Sequence, residues 1–266
     1  MAMRMATLNG RTGQAQGPGQ DPVAGVGAAG LHHPLDDATQ PAAVIEGYAE
    51  TARRSPARAP VERPVGLSDL AGPLRFGAKL PTGSGDLYEA VQGRPALGVR
   101  ILVEGRILDE DGRGVPGAVL EIWQANAAGR YRYDEGGFGA IDPNFAGFGR
   151  IRADADGRYR FVTLKPGAYP VSTNPGRWWR PPHIHLSIFG SGMASRLVTQ
   201  VYFPGEPLNA RDRILNAIPD PAARDRLVMQ EMPMPEVPAE NTLGFRQDLV
   251  LRGRGATPFG SDPIAG

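Results

Sequence analysis

The chain contains no cysteine. Disulfides and thiolate metal ligands are therefore excluded, and a reducing compartment fits without being required. Long apolar runs are missing too. The opening residues, MAMRMATLNGRTGQAQGPGQ, lack the continuous apolar core of a secretory leader, and no later stretch has the length of a membrane span. A surplus of charge of one sign is also absent. Lys and Arg number 29 against 28 Asp and Glu, a net charge of +1. Bulk attraction to nucleic acid or to a membrane surface is therefore not expected. The expected location is the cytoplasm. Histidine is scarce, with four in 266 residues, which gives each position weight.

What is abundant is glycine (36) and proline (26), which favours many turns and short strands over long helices. Residues 1–40 are rich in Gly, Ala, Pro and Gln, have little to bury, and are expected to form a disordered tail. His32 and His33, at its edge, are expected to be solvated loop residues. Residues 41–97 read as an arm with a short helix near Ile45–Arg53, followed by Pro-rich coil. From residue 98 to 266 the pattern is that of a sandwich. β-rich runs occur at Arg100–Leu108, Ala118–Trp123, Gly149–Ala153 and Arg158–Leu164, then in HIHLSIFG, RLVTQVYF and LGFRQDLVLRG. Asp111-Gly112 and Asp156-Gly157 between neighbouring runs read as hairpin signals. Between Arg158 and Leu164 the apolar residues change phase, which reads as a slip in the strand. DPAARDRLVMQ predicts a short helix capped by Asp220 with Pro221 at its first position. The expected fold class is mainly β: an antiparallel β-sandwich with short helices in its connections.

Two of the four histidines fall together in RWWRPPHIHLSI. Pro181-Pro182 disfavours a helix and suits entry into a strand. Residues two apart on a strand share a face, so His183 and His185 are expected to point to one place with Ile184 buried behind them. Paired imidazoles on one strand face are a common way to hold a transition metal; the alternative is two hydrogen-bonded polar residues in a strand. With cysteine absent and most acids in turns, tyrosines in unusual settings become candidates for the remaining ligands: Tyr131 in GRYRYD and Tyr169 in KPGAYPV. Taken alone, each reads first as a core or rim tyrosine with a satisfied hydroxyl.

The ordered blocks EIWQANAAGRYRY, DPNFAGFGR, DADGRYRFVTLKPGAYP, WRPPHIH and LVTQVYFPGEPL resemble the intradiol ring-cleaving dioxygenases, and among them the iron-bearing beta subunits of protocatechuate dioxygenases. The resemblance spans roughly residues 46–253 and implies a non-haem Fe(III) held by Tyr131, Tyr169, His183 and His185. That donor set makes chemical sense. Ferric iron is a hard acid, phenolate is a hard donor, and a bound cation lowers a phenol's pKa from about 10 so that it binds deprotonated. The resemblance further implies a catechol-type substrate and O2, with cleavage between the two hydroxyl-bearing carbons to give a cis,cis-muconate. In it, Tyr169 is the axial ligand that substrate displaces, and it can take a substrate proton. Arg180 lies beside the ring as a fixed positive charge, and Gln200 is a polar residue near the oxygen-binding side. Tyr48, Ile214 and Val171 fall on the substrate wall. A homologous alpha subunit is the implied partner.

One departure stands out. Protocatechuate enzymes usually carry tryptophan two residues after the axial tyrosine, where this chain has Val171; an extra Trp178 lies nearby. A protocatechuate-like ring is the first expectation and a sulfonated catechol the second. Trp179 is expected to be packing, and Tyr133 to share a strand face with Tyr131. Two rival readings are a transthyretin-like binding module, which has no use for RPPHIH with two tyrosines, and a metalloenzyme pairing the histidines with a carboxylate such as Asp142.

Overall fold

The computed structural model describes residues 37–42, 44–54, 58, 80–88, 94–134, 136–171, 178–190, 196–238 and 243–258. Residues 1–36 of the expected tail, with His32 and His33, lie outside the described residues. Along the described chain run β1 (Arg100–Leu108), β2 (Val119–Trp123), β3 (Phe148–Arg152), β4 (Arg158–Leu164), β5 (Tyr169–Pro170), β6 (Trp179–Arg180), β7 (His183–Phe189), β8 (Arg196–Tyr202), β9 (Gln230–Glu231), β10 (Leu243–Arg246) and β11 (Leu249–Val250). The helices are short: α1 (Ala49–Arg54), α2 (Pro221–Asp225) and a few 3-10 turns. Asp220 caps α2 as expected, its side chain accepting from the Ala222 amide at 3.0 Å.

Two sheets face each other across one apolar core. The first is built on β1, which pairs antiparallel with β4 on one side and parallel with β10 and β11 on the other; β9 adds to β10. The second is antiparallel throughout, in the order β3-β2-β7-β8. Between them Ile101, Val103, Phe161 and Phe245 of the first meet Leu120, Ile122, Ile184, Leu186 and Val201 of the second. The alternation of the strands then decides everything else. With Ile184, Leu186 and Ile188 committed to the core, His183, His185 and Ser187 must project from the opposite face of β7. Directly paired residues share that face. It therefore also carries Trp123, opposite His185 on β2, and Gln200 and Tyr202, opposite His185 and His183 on β8.

The antiparallel sandwich agrees with the sequence pattern; its parallel edge is an addition that the pattern does not display. The expected last strand keeps one register with β1, Glu104 opposite Arg246 and Ile107 opposite Leu249, but is interrupted between them. There the Gln247 carbonyl turns to accept the buried Tyr159 hydroxyl at 2.7 Å. Gly105 makes this possible, because a Cβ there would lie 1.7 Å from that same carbonyl oxygen.

Two expectations need correction. The Asp-Gly turns do not join paired strands: β1 and β4 lie in one sheet, β2 and β3 in the other. Each turn instead carries the chain across the sandwich. Both use the same local chemistry, in which Asp109 Oδ1 accepts from the Asp111 and Arg113 amides and Asp154 Oδ1 from those of Asp156 and Arg158, all at 2.8–2.9 Å. The supposed slip in β4 is also absent, since its register with β1 runs unbroken from Arg100↔Leu164 to Arg106↔Arg158. Its apolar residues change phase because both faces are covered. Tyr159 and Phe161 enter the main core, Val162 packs on Leu102, Met232 and Val237, and Leu164 on Ala96 and Phe145.

Candidate metal centre

On the outer face of the second sheet, four side-chain atoms converge. Tyr131 Oη lies 2.9 Å from His185 Nε2 and 3.3 Å from Tyr169 Oη. Tyr169 Oη lies 3.3 Å from His183 Nε2, which lies 3.2 Å from His185 Nε2. Donors bound about 2.0–2.1 Å from one ion are separated by roughly 2.8–3.4 Å when the angles between them are between about 90° and 110°. The four separations fall in that window. Among the described residues no group of three or more His, Asp or Glu is placed to hold a metal ion, so the tyrosines are needed to complete a cage around these histidines. Two imidazole nitrogens with two phenol oxygens suit a hard, highly charged ion such as ferric iron.

The imidazoles are prepared for this role. Both rings are buried, and burial, reinforced by the positive charge of Arg180, holds their pKa values well below the ordinary histidine value. They are therefore neutral. His183 Nδ1 donates to the Pro181 carbonyl at 2.7 Å, which leaves Nε2 as a lone pair aimed at the other donors. His185 is steadied by stacking on Trp123, with ring centroids 4.8 Å apart and planes 12° from parallel.

The tyrosines come from loops, and the loops are held together backbone to backbone. Buried Asn126 folds the turn before Tyr131, its Oδ1 accepting from the Ala128 and Arg130 amides at 2.9 and 3.0 Å. Its own carbonyl accepts from Gly167, two residues before Tyr169, at 2.9 Å. Two glycines permit the contact. A Cβ on Gly129 (φ +76°) would lie 2.3 Å from the Ala168 carbonyl, and one on Gly167 2.4 Å from that of Ala127. Sequence reading missed Asn126, Gly129 and Gly167; their only signal is the placing of Asn and Gly just before Tyr131 and of Gly just before Tyr169. Gly129→Ala is expected to destabilise by at least about 1–3 kcal/mol from the backbone conformation alone. It should also lower metal content per folded chain, checked by thermal melting with metal analysis of the soluble fraction.

Arg180 lies opposite Tyr169 on the β5–β6 ribbon and is 1% exposed. Its Nε donates to Asp212 Oδ2 at 3.1 Å, and its Nη2 donates to Gln200 Oε1 and to Tyr202 Oη, the latter at 3.2 Å. Asp212 Oδ1 accepts from the Ile214 amide at 2.8 Å. A permanent cation is thus fixed beside the four donors, and the same carboxylate fixes Ile214. Gln200 Nε2 is buried without a partner among the described residues. Sequence reading placed Arg180 and Gln200 but missed Asp212, whose setting in RDR reads as surface charge.

The remaining candidates divide. Tyr48, Val171 and Ile214 do come together, around Trp178 and Ile45. Trp179 is 42% exposed and packs on Phe138 rather than in the core. Tyr133 shares no strand face with Tyr131: both lie in a turn, and Tyr133 is 77% exposed. Asp142 stays apart, its carboxylate accepting from the Leu97 and Asn144 amides at 2.7 and 2.9 Å. The histidine–carboxylate alternative fails for that residue.

This sandwich and its donor cluster define a class. Residues 71–253 match the sequence profile of a family described as Dioxygenase, and the chain belongs to the intradiol ring-cleaving dioxygenases of that family. Among its relatives is the protocatechuate 3,4-dioxygenase beta chain of Burkholderia cepacia, 46% identical over 85% of this chain and 96% of the relative. The protocatechuate 3,4-dioxygenase alpha chain of Pseudomonas putida is 31% identical over 72% of this chain and 94% of its own length. A dioxygenase domain from Streptomyces sp. SirexAA-E superposes with a TM-score of 0.45 at 28% identity, covering 68% of this chain and 98% of that domain. No helix among the described residues is long and apolar enough to cross a membrane.

Proposed function

We propose that this chain is the metal-bearing subunit of an intradiol dioxygenase acting on a carboxylated catechol, protocatechuate first, to give 3-carboxy-cis,cis-muconate. The observation that carries the reading is the closed set of two phenol oxygens and two imidazole nitrogens, 2.9–3.3 Å apart in sequence around the centre. Tyr131, Tyr169, His183 and His185 would hold one non-haem ferric ion, which when bound supplies the electron-accepting centre that opens a chelated diol to attack by O2. Both oxygen atoms enter the product, and the bond broken is the one between the hydroxyl-bearing carbons.

The protein's own groups account for the rest. Tyr169 Oη keeps 3.3 Å from both neighbours, against 2.9 Å for the contact of Tyr131 with His185. It is the looser member of the set and the one placed to take a proton from an incoming diol. Arg180 stands on the same ribbon face as Tyr169. Its charge is fixed before substrate arrives, so negative charge developing on the ring is stabilised with little reorganisation. Gln200 offers an unmet amide donor on the side of His185. Tyr48, Val171 and Ile214 supply apolar wall.

A homologous alpha chain is the proposed partner. The similarity to both alpha and beta chains supports it, and the exposed aromatic pairs Phe138–Trp179 and Tyr133–Phe148 give such a partner apolar surface to cover. The test is oxygen uptake by the iron-loaded chain, alone and with an alpha partner, against catechols carrying carboxylate, sulfonate or no substituent. One O2 consumed per ring with the ultraviolet spectrum of a cis,cis-muconate is the expected result. No uptake with any diol would overturn the reading.

A further inference from the structure

The wall that replaces the missing tryptophan is not merely apolar. On the β5–β6 ribbon Tyr169 faces Arg180 and Pro170 faces Trp179. The ladder continues one step, the Val171 amide donating to the Trp178 carbonyl at 2.8 Å. Alternation then puts Tyr169, Val171, Trp178 and Arg180 on one face and Trp179 on the other. Burial agrees: Trp178 is 8% exposed and Arg180 1%, against 42% for Trp179. Trp178 is thus the cross-strand neighbour of Val171, one rung from the pair that brackets the reacting ring, and its indole packs on Val171, Ile214 and Tyr48. A small residue at position 171 leaves the volume that the Trp178 side chain enters from the facing strand.

Two features of this wall are left unmet by the protein. Trp178 Nε1 is buried and has no acceptor among the described residues, an expensive state for a donor that has lost its water. The indole also lies near two guanidiniums, with Arg180 Cζ 5.8 Å and Arg213 Cζ 5.9 Å from its ring. The charge of Arg180 is matched by Asp212. That of Arg213 is not: among the described residues no carboxylate pairs with it, and its hydrogen bond is to the Gly47 carbonyl at 3.1 Å. Gly47 (φ +74°) makes the room, because a Cβ there would sit 1.8 Å from Arg213 Nη1. A desolvated N–H on an indole whose face carries a half-exposed guanidinium, with no carboxylate among the described residues paired to it, suits an oxyanion.

Resting on the dioxygenase reading above, we infer that Trp178 and Arg213 form a subsite for an anionic ring substituent, a carboxylate or a sulfonate, on the aromatic diol. The subsite is specific to the pairing of Val171 with Trp178: the tryptophan arrives from the residue before β6 instead of the one after β5, and brings its ring under Arg213. Recognition of the substituent is then achieved by this chain's own residues.

Equilibrium binding by calorimetry to the full-length iron-loaded chain tests this without turnover. The probes are 4-hydroxybenzoate, 4-hydroxybenzenesulfonate and neutral phenol, each compared across the wild type, Trp178→Phe and Arg213→Gln. Each variant is expected to weaken anion binding about tenfold or more, the scale of a lost hydrogen bond to a charged group, while phenol binding changes less than twofold. Weakening of the benzoate alone or of the sulfonate alone supports the subsite and identifies its substituent. Equal weakening of phenol, or no change with any probe in the correctly folded Arg213→Gln protein, overturns it. A wild type that binds the anions selectively yet cleaves no diol would count against the dioxygenase reading and leave the subsite standing.

Discussion

Tyr131→Phe and His185→Ala are each expected to lower iron affinity by more than about 100-fold, since even residues that only support a ligand cost roughly 10–100-fold when changed. Tyr131→Phe is the sharper of the two. It keeps the ring, including its edge-to-face contact with Tyr169 at 5.5 Å, and removes only the oxygen 2.9 Å from His185 Nε2. Loss of metal in that variant therefore cannot be assigned to lost packing. His185→Ala removes a donor and the stack on Trp123 together, so it should lose both metal and some stability. Metal analysis after gel filtration reads the first effect. Visible absorbance reads it independently, because charge transfer from phenolate to Fe(III) colours the loaded protein. Tyr133→Phe is the control: that ring is 77% exposed and packs on Phe148, so colour and metal should be retained. Full colour and metal in both Tyr131→Phe and His185→Ala would remove the proposed ligand set.

The two halves of this site were legible to different degrees, for a physical reason. His183 and His185 sit on one strand, where a period of two fixes their common face and the burial of Ile184 behind them. Local pattern is enough there. Tyr131 and Tyr169 sit in loops, and their meeting depends on Asn126 and on two glycines whose missing Cβ atoms let backbones touch. No period encodes that, so elimination could make these tyrosines candidates, and only family resemblance joined them to the histidines. The partnership of Arg180 with Asp212 was hidden in a similar way: they lie 32 residues apart, and Asp212 sits between two arginines. The fold shows the same division. Strand positions followed from alternation, while strand partners did not, because the Asp-Gly turns have the chemistry of hairpins but lead from sheet to sheet. The wall at Val171 is a further case. A substitution on one strand was visible in the sequence, and its complement on the facing strand became visible only once the register of the ribbon was known.

Asp212→Ala is expected to lower the melting temperature by about 10 °C, although the residue contacts no metal donor. Its carboxylate is fully buried, and so is the guanidinium it holds, with side-chain exposures of 0% and 2%. Solvent screening, which reduces surface ion pairs to little, does not apply to this pair. Removing one partner leaves a buried charge without its counterion, at a cost of about 3–5 kcal/mol. At roughly 2–4 °C per kcal/mol for a fold of this size, that gives the stated shift. The Ile214 amide loses its acceptor at the same time, so the proposed substrate wall is expected to loosen with the cation. Stability and catalysis can then be separated by the double variant Arg180→Met, Asp212→Leu. Replacing a buried pair with apolar side chains of similar volume is often neutral or stabilising, so the double variant should recover much of the lost melting temperature. It should not recover turnover, because the charge proposed to stabilise the substrate ring is gone. A double variant that regained both would show that Arg180 only fills space beside the four donors, and the electrostatic role argued for it would fall. A single variant that melted with the wild type would show that the guanidinium finds another counterion, and that the carboxylate is not what fixes it.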